Sequence, residues 1–334
     1  PGVGSEPEPG REDDETPGDT EVDAEAEWDT DRLTISAAPA PSMDGAPSPW
    51  DAVSPMAGLP SGADFGTAVH AVLEDLDPGA PDLAASLRSA CAAVIARTGS
   101  TGMTADQLAQ GLLPVCATPL GPLAGGRTLA DVPRSDRLTE LVFELPLAGG
   151  DDPAPVQMTL GDVAPLLRRH VPAHHPLAPY ADRLTAPVLA EQPLRGYLTG
   201  SIDAVLRVRD IPGGPARHLV VDYKTNWLGS FDGRPLTLRA YAPAALPEAM
   251  MAAHYPLQAL LYAVALHRML RWRQPGYDPD VHLGGVLYLF VRGMAGPQTP
   301  EVEGVPAGVF SWRPPSSLVV GLSELLAGRT EGQA

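Results

Sequence analysis

An α/β fold, with a mixed central sheet flanked by helices, is the class this chain predicts, and three patterns carry the prediction. Tyr197–Val208 and Leu219–Lys224 each alternate side chains as strands do, and the turn-rich Asp210-Ile211-Pro212-Gly213-Gly214-Pro215 lies between them. Apolar residues at helical spacing run through Phe65, Val69, Val72, Leu73 and Leu76. A second helical stripe runs through Leu257, Leu260, Leu261, Val264 and Leu270.

Taken in order, the chain opens on an acidic head. Residues 1–31 hold 13 acids against one base, Arg11, so most of the net charge of −18 sits there. Like charge and low hydrophobicity keep such a segment unfolded. Pro39, Pro41, Pro47, Pro49, Pro55 and Pro60 extend the linker character, so residues 1–60 are expected as a disordered acidic, Pro-rich linker and 61–330 as the folded domain. A helix is expected over 64–76. Residues 80–180 are poorly patterned and Pro- and Gly-rich, and are expected as variable helices and loops plus a strand at Leu138–Leu147. Strands follow at 197–208, 219–225 and 285–291, with a helix over 255–272 packed on the sheet.

Composition narrows the class. No window approaches the apolar run of about 20 residues needed to span a membrane, and no secretory signal opens the chain. The first residue is proline, so a fragment of a longer polypeptide is expected. Two cysteines, Cys91 and Cys116, are too few for a disulfide framework and point to reducing cytoplasm.

Of 23 basic residues only Lys224 is lysine. Arginine cannot replace it where a compact charge must approach an oxygen closely, because guanidinium is wide and planar. Alternation puts Val220, Asp222 and Lys224 on one face of their strand, and Ile202, Ala204, Leu206 and Val208 opposite Ser201, Asp203, Val205 and Arg207 on the other strand. A hairpin centred between Pro212 and Gly213 sets Asp203 opposite Asp222. Two carboxylates that close repel, and a divalent cation held by oxygen ligands offsets the cost. Two solvated aspartates in another register satisfy the same spacing. His70 lies at the edge of the first helical stripe, one turn after Gly66, a glycine expected to leave room beside the imidazole. Gln258 and Tyr262, four apart, share a helix face. By itself a histidine at a helix edge is usually structural, and Gln258 with Tyr262 also fits a capped or packed polar pair.

Five blocks in order make the sequence recognisable. Gly66-Thr67-Ala68-Val69-His70, Gly200-Ser201-Ile202-Asp203, Val221-Asp222-Tyr223-Lys224-Thr225-Asn226-Trp227, Gln258 through Tyr262, and Gly284 through Gly293 resemble the family of C-terminal nuclease domains of RecB, the beta subunit of exodeoxyribonuclease V, in the PD-(D/E)xK superfamily. The resemblance covers residues 61–330 and implies a restriction-endonuclease-like core. It also implies that His70, Asp203, Asp222 and the Tyr223 carbonyl hold Mg²⁺, that Lys224 orients the attacking water and steadies the phosphate, and that Gln258 and Tyr262 position water and DNA backbone. Thr225 stands where the family commonly has serine.

The function expected from this resemblance is Mg²⁺-dependent hydrolysis of DNA within a helicase–nuclease complex of double-strand break repair. DNA ends, RecC- and RecD-like subunits and a helicase portion of the same polypeptide are the expected partners, with no membrane. The head is then a tether, or less simply an acidic mimic in the DNA groove. Glu140 is expected near the metal. Arginines at 168–169, 207–217 and 268–273 offer phosphate contacts, or simply solvated helix ends. The competing function is a catalytically inactive nuclease-like module for DNA binding or assembly. A helicase reading of this stretch fails, since it contains no G-x-x-x-x-G-K-[ST] loop.

Overall fold

The two alternating stretches pair in the expected register. Tyr197–Val208 (here β2, after β1 at Arg137–Pro146) and Arg217–Lys224 (β3) run antiparallel, with Ala204 opposite Val221 and Val208 opposite Arg217. The computed structural model describes residues 22–23, 48–98, 102–148 and 158–329. Leu283–Phe290 (β4) lies parallel to β3, and Val309–Trp312 (β5) antiparallel to β4, while β1 pairs antiparallel with the far edge of β2. The sheet is therefore mixed, as expected.

Helices cover both faces because both faces are apolar. On one side Ala63–Asp75 (α1), Leu83–Thr98 (α2) and Ala105–Ala117 (α3) share a core with Ala204, Leu206, Leu219, Val221 and Tyr223. On the other, Val163–His170 (α4), Leu246–Ala252 (α5), Tyr255–Arg273 (α6) and Ser316–Leu326 (α7) pack on Ile202, Val205, Val220, Val286 and Tyr288. Among the described residues no single helix is long and apolar enough to cross a membrane.

Two expectations need correction. Ile202 joins the α6 core while Ala204, Leu206 and Val208 join the α1 core, so the alternation of β2 changes phase at Asp203. The cause lies across the ladder, where Glu140 of β1 takes a left-handed backbone at φ 48° between the pairs Thr139–Ala204 and Leu141–Ile202. Residues 48–60, expected as linker, belong to the fold. Met56 is fully buried, the Ser54 amide donates to Leu236 O, and the fully buried Arg292 donates to the carbonyls of Met56 and Pro60. Proline there shapes a packed segment. Of the rest of the head, Val22–Asp23 pairs parallel with β2 at Leu198 and Thr199; residues 1–21 and 24–47 lie outside the described residues.

Candidate active site

β2 and β3 pair only as far as Ala204 and Val221, and beyond that point the strands part. The chemistry gathers in the split. Asp203 stands on the β2 side, and its Oδ2 accepts the Tyr223 amide at 2.7 Å. His70, delivered by α1, places Nδ1 3.2 Å from Asp203 Oδ1. Strand alternation turns Tyr223 into the α1 core and Asp222 and Lys224 toward α6. There the ammonium of Lys224 donates to Gln258 Oε1 at 3.2 Å and lies 4.1 Å from the centre of the Tyr255 ring. Gln258 in turn donates to the Tyr262 hydroxyl at 3.1 Å and accepts from the Tyr288 hydroxyl at 3.0 Å.

Asp222 is the most enclosed of the charged groups, its side chain 3% exposed against 20% for Asp203 and 13% for Lys224. Lys224 Nζ stands 2.8 Å from its Oδ2, yet that oxygen has no aligned hydrogen bond. Burial pushes the Asp222 carboxyl up to about 6; the Lys224 ammonium opposes the shift and the Asp203 charge reinforces it. Burial also works against charge on Asp203, but His70, the Tyr223 amide and Lys224 outweigh it and hold that carboxyl below its ordinary range. For His70 and Lys224 burial disfavours the cation, and the neighbouring aspartates more than compensate, so both pKa values are raised. Two adjacent carboxylates are thus driven apart in acidity by their surroundings.

The donor set suits a hard divalent cation: two carboxylates, the Tyr223 carbonyl and an imidazole. A buried carboxylate oxygen met only by the Lys224 ammonium at 2.8 Å is the observation that fits this best. Among the described residues no three such side chains already form a ready-made cage, and His70 and Asp203 are bonded to each other.

A sequence profile described as the PD-(D/E)XK nuclease superfamily matches residues 51–313. The chain belongs to the PD-(D/E)XK nuclease superfamily. Similar curated proteins are each named RecBCD enzyme subunit RecB. The one from Mycolicibacterium smegmatis is 56% identical over 276 residues, 83% of this chain and 25% of that protein. That from Mycobacterium tuberculosis is 54% identical over 286 residues, again 83% of this chain and 25% of the relative. The Escherichia coli protein is 31% identical over 278 residues, 83% of this chain and 20% of its own length. The chain therefore spans about a quarter or less of these relatives, and the expected resemblance to RecB is borne out.

Within this superfamily fold, Asp203, Asp222, Lys224, His70, Gln258, Tyr262 and the Tyr223 main chain come together. Glu140 lies between the pairs Thr139–Ala204 and Leu141–Ile202 of the β1–β2 ladder, level with Asp203, but its carboxyl acts on Glu74, one turn beyond His70, and raises the Glu74 pKa. Gly66 serves a different purpose from the one expected: a Cβ there would stand 3.3 Å from Thr225 Oγ1. It lets α1 close on the strand end after Lys224. The arginine clusters are largely committed elsewhere. Arg168 pairs with Asp182, Arg207 and Arg209 with Asp136, Arg217 with Asp210, and Arg271 with Glu324, while Arg268 donates to Ser323.

Sequence reading missed Tyr255, Tyr288 and Arg292. Tyr288 pairs with Asp222 in the parallel β3–β4 register, and Arg292 donates to Thr225 O at 2.8 Å, the residue after Lys224. A signal for both lay in the block Gly284 through Gly293, whose strand had to sit beside β3.

Proposed function

We propose that this chain is a Mg²⁺-dependent deoxyribonuclease of the exodeoxyribonuclease V type, cutting DNA ends during recombinational repair in the cytoplasm. In this reading it is the nuclease portion of a polypeptide that also carries a helicase and assembles with RecC- and RecD-like subunits. One observation carries the reading. An imidazole, two carboxylates of divergent acidity and the sequence's single lysine converge where β2 and β3 part. That the whole set is intact weighs against an inactive binding module.

His70, Asp203, Asp222 and the Tyr223 carbonyl would hold the ion. When bound, Mg²⁺ supplies charge neutralisation at the scissile phosphate and acidifies water. Lys224 offers N–H donors to the attacking water and to a phosphate oxygen. Its ammonium is held by the Tyr255 ring, Gln258 and Asp222, so the donors need no reorganisation as charge develops. Gln258, clamped by Tyr262 and Tyr288, keeps that head in place. The deciding assay is release of nucleotides from linear single- and double-stranded DNA with Mg²⁺ present and with chelator. Release with Mg²⁺ and none with chelator supports the reading; none in either overturns it.

A further inference from the structure

The loop that follows Lys224 carries an aromatic group that the site described so far does not use. It runs from Asn226 to the isolated bridge between Thr237 and Val53, and its two ends are anchored. Leu228 and Leu236 are each 2% exposed, and the Leu228 amide donates to the Tyr241 hydroxyl at 3.3 Å. A Cβ on Gly229 would come within 2.6 Å of Leu236 Cδ1, so the loop packs closely on its own far end there. At the tip the Arg234 amide donates to Asp232 Oδ1 at 3.1 Å. The tip is a built turn, and Phe231 projects from it with 56% of its surface exposed.

Phe231 is not a stray apolar residue, because its ring is already stacked. It lies on Trp227 with ring centres 5.8 Å apart and planes 23° from parallel. The Arg292 guanidinium stands 5.4 Å from the Trp227 ring and 4.4 Å from the Phe65 ring. Phe65 belongs to α1, the helix that delivers His70. A succession of flat groups thus leads from the buried helix to an exposed phenyl ring seven positions after Lys224. Every nucleobase has a π face that stacks on such a ring whatever its sequence. Trp272, 77% exposed and with Arg273 over it, is the rival, but it lies 14 residues along α6 from Gln258, about 21 Å at helical rise.

We propose that Phe231 is a stacking site for one unpaired nucleobase of the DNA strand engaged at Lys224, extending the succession by one member. The strand is held by a base face as well as by its phosphates, without sequence readout. This rests on the nuclease reading above.

The test uses single-stranded oligonucleotides carrying 2-aminopurine at successive positions, bound in chelator to the chain and to Phe231→Ala and Phe231→Trp. Stacking quenches 2-aminopurine, so the unsubstituted chain should quench it at one or two adjacent positions. Phe231→Ala should lose that quenching and bind about tenfold more weakly, with an unchanged thermal midpoint as the folding control; Phe231→Trp should keep both. Equal quenching and affinity in Phe231→Ala, or quenching at no position, overturns the proposal and leaves Phe231 to a protein neighbour. If the unsubstituted chain cuts DNA normally while those outcomes hold, only the stacking site falls. If it neither binds nor cuts DNA, the nuclease reading falls with it.

Discussion

Lys224 is enclosed by a carboxylate, an amide and two tyrosine rings, an environment sized for an ammonium. Lys224→Arg keeps the charge and changes only the shape, so cleavage of linear DNA should fall by about 10²–10³-fold, the scale of losing one oriented donor. DNA affinity in a binding assay should barely move; undiminished cutting would remove Lys224 from the chemistry. The carboxylates make a second expectation. Asp203→Ala and Asp222→Ala should each abolish Mg²⁺ binding in calorimetric titration, and His70→Ala should weaken it. A wild-type isotherm in all three would dismantle the proposed metal site.

Elements were legible where one periodicity governed them. Alternation and a Pro-Gly turn were enough for β2, β3 and their register, and a helical stripe for α1 and α6, because each signal is local. The phase change at Asp203 was not legible, since its cause is the left-handed backbone of Glu140 on a neighbouring strand. Within residues 80–180, α3 read poorly because it carries Pro114 inside it, and its capping box of Thr104 and Gln107 went unread. Arg292 escaped because its partners, Met56, Pro60 and Thr225, are remote in sequence. Arg292→Met would remove three hydrogen bonds, to the carbonyls of Met56, Pro60 and Thr225, at about 1 kcal/mol each. Chemical denaturation should therefore show a loss of about 3 kcal/mol, with the thermal midpoint down by roughly 6–12 °C. An unchanged midpoint would mean that water replaces the guanidinium without penalty.

Among the described residues many arginines pair with carboxylates, and the sequence carries its excess negative charge at one end. Few cations remain for phosphates, so the chain alone should hold DNA weakly and cut it distributively. Tethering to a motor would supply the missing local concentration. Cutting by this chain and by a full helicase–nuclease complex, compared with a trap of competitor DNA, checks this; processive degradation by the chain alone would refute it. The folded boundary is testable too. Removing residues 1–47, with the two-residue pairing of Val22–Asp23 on β2, should lower the thermal midpoint far less than removing 1–60, because Met56 and the two carbonyls on Arg292 go only with the longer deletion. The lone lysine also gives the fold a chemical reporter. Acylating reagents attack uncharged amines, and in these 334 residues one side chain offers such a nitrogen, kept protonated and 13% exposed while the sheet is intact. Slow modification of Lys224 in the native protein, quickening as denaturant is added, would time the opening of the split between β2 and β3 from the adduct on one peptide in a mass spectrum.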